Sequence, residues 1–331
     1  MLHSIKEFVW NAFKESLAIY GTLLKIIVPV MIVVRIGIEF DLHIQLAKWM
    51  DPVTSALGLP AETGLVLVTT FIAGFYGGAT VMVAMLSELD MTVAQATVLT
   101  SIMVVVHALP MEQQIVRLAG VRIGIATLFR IIIGLVLGWI LQLTYGYLDV
   151  LQEPLIVGWA PDTQIDAPWA IWAQDSIRSL LSIFIIILAM IYGLRLMDVT
   201  GLTQLLTNVL SPFLSIMGIS KDATAVTMTG VLLGLGFGGA LIVREARTGK
   251  LGPRTIFLSL VFMSLCHGLI EDTVFAMVLG GHVSGVFFGR IAIAVLVMIL
   301  VNKLIRKMPD RIFYAFLFNR PPASDKIPDS I

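Results

Sequence analysis

Two histidines accompanied by carboxylates are the residues of this sequence best suited to chemistry. His107 is followed five positions later by Glu112, and His267 is followed by Glu271 and Asp272. The four-residue spacing of His267 and Glu271 places them on one helical face if a helix continues between them. A carboxylate beside an imidazole can carry a proton, bind a cation or hydrogen-bond a polar solute. A purely structural role, in which each histidine satisfies the end of a helix, is the alternative.

Both histidine segments belong to a duplication with a constant offset of 160 positions. The offset superimposes prolines, glycines and arginines as well as the histidines, and Glu112 falls on the chemically similar Asp272. The matched pairs are Pro52 and Pro212, Gly74 and Gly234, Gly78 and Gly238, His107 and His267, Gly120 and Gly280, Arg35 and Arg195, and Arg130 and Arg290. Agreement of such residues at one offset predicts a duplicated structural unit.

The composition indicates that this unit lies in a membrane. Hydrophobic residues make up 58% of the chain and charged residues 13%, whereas a soluble domain has about 25% charged residues. The 22 basic and 22 acidic residues cancel, which argues against nucleic acid as a partner and leaves the lipid bilayer as the predicted surroundings. A single cysteine excludes an intramolecular disulfide.

Polar stretches divide the chain into five parts. The N-terminal residues show the spacing of a helix capping box followed by an aromatic run, which predicts an amphipathic helix on the membrane surface. Two membrane repeats follow, joined by an acidic linker and ended by a basic tail. The predicted parts are 1–14, the interfacial helix; 15–145, the first repeat; 146–175, an extracytoplasmic linker; 176–305, the second repeat; and 306–331, a cytoplasmic tail.

Each repeat contains about five apolar segments, which predicts an all-α polytopic membrane protein. The second segment of each repeat contains a proline, Pro52 or Pro212, and is expected to be a broken helix. Whether these segments, 42–59 and 202–219, cross the membrane or re-enter it is open.

The third segment of each repeat is predicted to be a span interrupted by a glycine cluster. These glycines either allow close helix packing or form part of a binding site for solute. The candidate binding glycines are Gly74, Gly77 and Gly78 in the first repeat and Gly234, Gly238 and Gly239 in the second.

The charges of the turns indicate that the repeats have opposite orientations. The turn 87–90 has no basic residue, whereas the matching turn 244–254 has four, and basic residues stay cytoplasmic. The linker has five acids and no Lys or Arg, so it is predicted outside; the tail has five bases between 303 and 320 and is predicted inside. Five crossings per repeat, ten in all, satisfy these charges. The predicted location is a bacterial inner membrane, with both termini on its cytoplasmic side.

The layout resembles the nucleoside-recognition, or gate, domain family. The shared features are the proline-containing segment, the glycine-rich break and the two ends, His107-Ala-Leu-Pro-Met-Glu and His267-Gly-Leu-Ile-Glu-Asp. That family includes spore-maturation membrane proteins and is similar to the gate regions of concentrative nucleoside transporters and ferrous-iron permeases. The resemblance covers about 15–305 and implies a solute-handling membrane domain without fixing the solute. Iron permeases place a cysteine in the glycine-rich break, and this sequence has none there.

Three functions are compatible with these features. An inverted repeat with broken helices is typical of a secondary transporter, here for a small polar solute, nucleoside-like or other, moved by alternating access with H⁺ or Na⁺. A divalent-cation permease and a non-transporting membrane partner of the spore-maturation type are the alternatives. No nucleophile–base constellation stands out, so neither an enzyme nor a cofactor is predicted, and self-association is left open. The site residues predicted for solute, proton or metal are His107, Glu112, His267, Glu271 and Asp272.

Overall fold

The computed structural model describes residues 2–161 and 167–319, whose regular elements are helices. The predicted all-α membrane fold is confirmed. Part of the predicted linker, with Asp162, and the tail beyond 319 lie outside the described residues. The helices are α1 (Leu2–Glu39), α2 (Leu42–Ala56), α3 (Thr63–Ala73), α4 (Phe75–Ala84), α5 (Val93–Val105), α6 (Leu109–Leu118), α7 (Ile123–Leu148), α8 (Trp169–Val199), α9 (Leu202–Ile216), α10 (Lys221–Leu233), α11 (Leu235–Arg247), α12 (Pro253–Leu265), α13 (Glu271–Val278), α14 (Arg290–Lys307) and α15 (Asp310–Phe316). A π-helical segment, Ser284–Gly289, directly precedes α14.

Helix boundaries repeat with the offset found in the sequence. Helices α2 and α9 begin and end at matching residues, and so do α5 and α12. Glycines with positive φ recur in the same way, because a left-handed residue that ends an element is most easily a glycine. The pairs are Gly58 and Gly218, Gly74 and Gly234, and Gly120 and Gly280. The duplication therefore extends from residue types to backbone conformation, while the inversion of the repeats stays a prediction.

The prolines do not break their helices, contrary to the sequence-based prediction. Pro52 lies inside α2 and Pro212 inside α9. A proline removes one N–H donor, and the turn at Gly58 or Gly218, not the proline, ends each helix. Each helix has 15 residues, about 22 Å of length, so neither alone crosses a hydrocarbon layer of about 30 Å.

Each glycine-rich segment folds as a helical hairpin instead of one interrupted span. Helices α3 and α4 meet at Gly74, and α10 and α11 meet at Gly234. Residues eight apart in a continuous helix are about 12 Å apart, yet a Cβ added to Gly230 would lie 3.2 Å from the Cα of Gly238. The predicted single crossing of this segment is therefore wrong. The chain reverses at a glycine whose φ of +93° or +100° disfavours other residues.

Five stretches of the described residues are long and apolar enough to cross a membrane. The hairpin arms have 10 to 13 residues, well below the ~20 that one crossing needs, so ten crossings were too many. The five stretches are Val9–Glu39, Val93–Leu118 with the break between α5 and α6, Ile123–Leu148, Trp169–Val199 and Ser284–Lys307.

The helix that leads to each histidine is almost wholly buried. Helix α5 is buried on all sides from Ala96 to Val105, and α12 from Ile256 to Leu265. Neither has a polar face, which fits interior helices surrounded by other helices. The longer α1, α7 and α8 instead expose many large apolar side chains, as expected of helices that face lipid.

Helix α1 is continuous, so no helix end separates residues 2–14 from the first apolar segment. It packs along α8 through polar contacts as well as apolar ones. The Tyr20 hydroxyl donates to the Leu180 carbonyl at 2.9 Å, and Arg195 contacts Glu15 at 2.6 Å. The interfacial position of residues 1–14 stays a prediction.

The two compact units of the molecule are not the two sequence repeats. In the described part of the chain, the first unit contains residues up to 109, 133–207 and 270–290. The second contains 110–132, 208–269 and the residues from 291 onward. Each unit therefore contains the segment that follows the histidine of the other repeat, and the first unit also contains α8 and the start of α9 from the second repeat. This exchange decides which carboxylate can accompany each histidine within a unit.

Candidate functional site

In the second unit, His267 is accompanied by Glu112, the carboxylate of the other repeat. Helix α12 ends at Leu265, and His267 lies in the irregular segment that follows. Glu112 lies in the first turn of α6, close behind Pro110, which suits a helix start. Nε2 of His267 lies 3.0 Å from Oε1 of Glu112. Both residues are buried, with exposures of 3% and 7%.

The hydrogen-bond partners of His267 require a proton between it and Glu112. Nδ1 lies 2.8 Å from the Met263 carbonyl oxygen, which only accepts, so Nδ1 carries a hydrogen. Nε2 and the carboxylate oxygen of Glu112 then need one further proton. Either an imidazolium donates to a carboxylate, or a protonated carboxyl donates to a neutral imidazole. The pair is thus built around one shared, buried proton.

Arg130 completes the cluster on the other oxygen of Glu112. It lies in α7, is fully buried, and donates from NH1 to Oε2. A buried guanidinium without a counter-charge is costly, and the carboxylate supplies that charge. With the shared proton the three groups carry one net positive charge, and without it they carry none. We call Glu112, Arg130 and His267 the proton cluster.

The first unit contains a histidine, a carboxylate and an arginine in matching places, with Asp272 in the place of Glu112. His107 follows α5, and its Nδ1 lies 3.1 Å from the Met103 carbonyl, as in the other repeat. Asp272 lies in the first turn of α13, with Oδ2 3.7 Å from NH2 of the fully buried Arg290. His107 and Asp272 are also buried. Both buried arginines, Arg130 and Arg290, therefore have an acidic partner.

Glu271 has a different partner from the one expected. The prediction that it shares a helical face with His267 is wrong, because α12 ends at Leu265 and α13 begins only at Glu271. Within the first unit, the Tyr76 hydroxyl donates to Oε1 of Glu271 at 2.8 Å. Tyr76 also packs on Phe275, with ring centroids 4.7 Å apart. The bond links the start of α4, just past the hairpin turn, to α13.

Each hairpin is tied to the irregular segment that carries the histidine of its unit. In the first unit, the Ala108 amide donates to the Thr70 carbonyl at 3.1 Å. In the second, the Leu269 amide donates to the Val231 carbonyl at 2.9 Å. A displacement of either hairpin would therefore also displace the backbone next to the histidine of that unit.

The predicted glycines have packing roles in the hairpins. A Cβ at Gly78 would collide with Thr70 on the opposite arm, and a Cβ at Gly238 would collide with Gly230. Gly239 lies against Ile115 of α6, and Gly77 lies against Ala73. Gly74 and Gly234 form the hairpin turns. A direct role of these six glycines in binding solute stays a prediction.

The comparisons with known proteins agree with a membrane protein. The chain is similar to a Bacillus subtilis (strain 168) protein described as the uncharacterized membrane protein YvoD. The two are 26% identical over 283 residues, which cover 85% of this chain and 89% of that protein. No family model matches the chain, and no solved structure matches it. The chain is thus a helical membrane protein whose likeness to the gate-domain family stays a prediction.

Proposed function

We propose that the protein is a proton-linked transporter of a small polar solute. The observation that carries the proposal is the buried proton that His267 and Glu112 must share. Ionisable residues inside a membrane are costly and typically mark paths for ions, protons or substrates. Releasing the proton removes a buried net charge but leaves two acceptors facing each other, so each protonation state favours a different local arrangement.

The hairpins supply elements that can move with the proton. Each has two arms too short to cross the membrane, and each is bonded to the segment beside its histidine. In secondary transporters, discontinuous helices at the midplane hold the solute while repeats open to one side and then to the other. Protonation of the cluster would favour one position of the hairpin and deprotonation the other.

A membrane topology with three crossings per repeat is consistent with the structure and the charges. The crossings of the first repeat are α1, α5 with α6, and α7; those of the second are α8, α12 with α13, and α14. Five of these are the long apolar stretches, and the sixth, α12 with α13, matches Val93–Leu118 at the 160-residue offset. The hairpins and the short α2 and α9 enter the membrane from one side and return to it. With an odd number of crossings per repeat, the second repeat begins on the opposite side of the membrane from the first. Three crossings therefore give inverted repeats, as did the five predicted from the sequence. Basic Arg117 and Arg122 then join 244–254 on the cytoplasmic side.

A divalent-cation permease is less well supported. Nε2 of His267 and Oε1 of Glu112 could both bind a metal ion. Arg130, however, donates to the other oxygen of the same carboxylate. A divalent cation would therefore sit beside a buried guanidinium, and the like charges repel each other strongly where water is scarce.

A non-transporting membrane partner is the second candidate, and one observation favours it. The three ionisable groups of the proton cluster satisfy one another inside the protein, as a purely structural core would require. Transport assays distinguish the two. In proteoliposomes with a pH-sensitive dye inside, a screen of nucleosides, amino acids and sugars should find a solute whose gradient changes the internal pH. A structural partner produces no such change with any solute, and a metal permease responds to divalent cations instead.

A further inference from the structure

Three polar side chains of the second unit are fully buried yet make no hydrogen bond within the part of the chain that the structure describes. They are Gln113 of α6, Thr227 of α10 and Ser259 of α12, with exposures of 1%, 0% and 0%. Both the amide nitrogen and the amide oxygen of Gln113 are unbonded. Buried polar groups in folded proteins nearly always have a partner, often an ordered water molecule.

The local geometry shows that Thr227 is unusual for its helix. Thr224 and Thr229, on the same helix, donate to the carbonyl four residues earlier, at 3.1 Å and 2.9 Å. Such bonds satisfy a threonine in a helix at little cost. Because Thr227 makes none, its hydroxyl remains available to a partner that is not part of the backbone.

Thr227 and Ser259 flank one close contact. Gly230 and Gly238 of the hairpin both approach Met263 of α12, and a Cβ atom built on either glycine would collide with its side chain. Thr227 and Ser259 each precede this contact by one turn of their own helices. Helix α6 meets the same hairpin through Ile115 and Gly239. The Met263 carbonyl also holds the ring of His267.

The first unit lacks both hydroxyl groups at the positions that match Thr227 and Ser259. The 160-residue offset carries Leu67 to Thr227 and Leu99 to Ser259. Both leucines are fully buried, and they fill the matching space with apolar atoms. A smaller polar side chain in place of each leucine both opens space and adds a hydrogen-bonding group, which is what a buried water site needs.

We infer that the second unit binds ordered water molecules between Thr227 and Ser259, and that the first unit has no matching site. The water lies beside Met263 and so within reach of the segment that holds the proton cluster. Proton exchange with His267 and Glu112 would then use the water of one unit only. The site itself does not depend on the proposed transport function.

Radiolytic footprinting tests the inference with an internal control. X-ray irradiation makes hydroxyl radicals from water, including bound water, and these oxidise nearby methionines. Met263 and Met103 occupy matching positions and both are fully buried, so bulk water reaches neither in the folded state. We expect Met263 to be oxidised roughly fivefold or more faster than Met103 in the purified full-length protein. Equal rates in the wild type would overturn the inference without any variant.

The hydroxyl groups can be removed with little change in volume. Thr227→Val with Ser259→Ala should bring the oxidation rate of Met263 down to that of Met103. Thr229→Val should leave the rate unchanged, because that hydroxyl already donates to the Ala225 carbonyl of its own helix. If Met263 is still oxidised faster than Met103 after the double substitution, these residues do not hold the water. The labelling needs no transport, so a failed transport assay leaves this result standing.

Discussion

The Nε2 atom of His267 lies 3.0 Å from Oε1 of Glu112, although the two residues belong to different repeats. The other ring nitrogen faces the Met263 carbonyl, so the pair shares a proton inside the protein. This relationship follows from the exchange of the segments 110–132 and 270–290 between the two compact units. It makes each unit depend on both repeats.

Arg130→Met should destabilise the protein by about 3–5 kcal/mol, because it removes one partner of a buried ion pair and leaves an oxygen of Glu112 without its charged donor. Arg178→Met is the matched control, since Arg178 pairs with Asp175 at 3.3 Å but its side chain is 62% exposed. An exposed pair contributes about 0–1 kcal/mol. The free energy of unfolding of each variant, purified in detergent, measures both losses. Equal losses for the two arginines would contradict the buried pairing.

Gly238→Ala should destabilise the second hairpin by about 1–3 kcal/mol, because the added methyl meets the opposite arm at Gly230. Gly236→Ala on the same hairpin should be close to neutral, since a Cβ there meets no atom within 4 Å among the described residues. The melting temperatures of the two alanine variants in detergent measure this difference. The larger substitutions Gly78→Leu and Gly238→Leu should abolish function in protein that still inserts into the membrane. A Gly236→Ala loss as large as that of Gly238→Ala would argue against the hairpin.

The effects of Tyr76→Phe and Glu271→Gln on the free energy of unfolding should be coupled. The first substitution removes the donor of the hydrogen bond between α4 and α13, and the second removes the charge of its acceptor. A bond to a charged group contributes about 1.5–3 kcal/mol, so the double variant should lose less than the sum of the single losses. Tyr20→Phe is the control because its hydroxyl donates to the Leu180 carbonyl. Its effect should add to that of Glu271→Gln. Additive losses for Tyr76 and Glu271 would show that the bond contributes nothing.

Much of this architecture could be predicted from the sequence. The duplication and the all-α membrane fold both follow from residue types and one offset. These features depend on composition and on the repeated spacing of residue types, which can both be read along the sequence without knowing any contact between distant segments.

The hairpins and the pairing of His267 with Glu112 could not be predicted in this way. A glycine cluster marks an interruption in a helix, but nothing in its spacing says whether the chain continues or reverses there. The contact between His267 and Glu112 joins distant segments, and local spacing instead favoured Glu271. Tyr76 was missed for the same reason, because its partner lies in the other repeat.

Single-cysteine labelling tests the topology. In a Cys266→Ala background, Ser87→Cys should react with an impermeant maleimide added outside intact cells, whereas Thr248→Cys should react only after permeabilisation. Both residues are exposed, so access depends on the side of the membrane. Labelling of both from the same side would rule out an inverted arrangement of the repeats.

Proton movement in proteoliposomes tests the shared proton most directly. Glu112→Gln keeps an oxygen for Arg130 and an N–H for His267, but it cannot exchange a proton with the imidazole. His267→Gln provides a second variant if the first is unstable. With a solute that changes the internal pH in wild-type vesicles, both variants should lose that change, while Glu88→Gln, an exposed carboxylate, should keep it. Solute-driven pH changes of wild-type size in Glu112→Gln and His267→Gln would contradict the account.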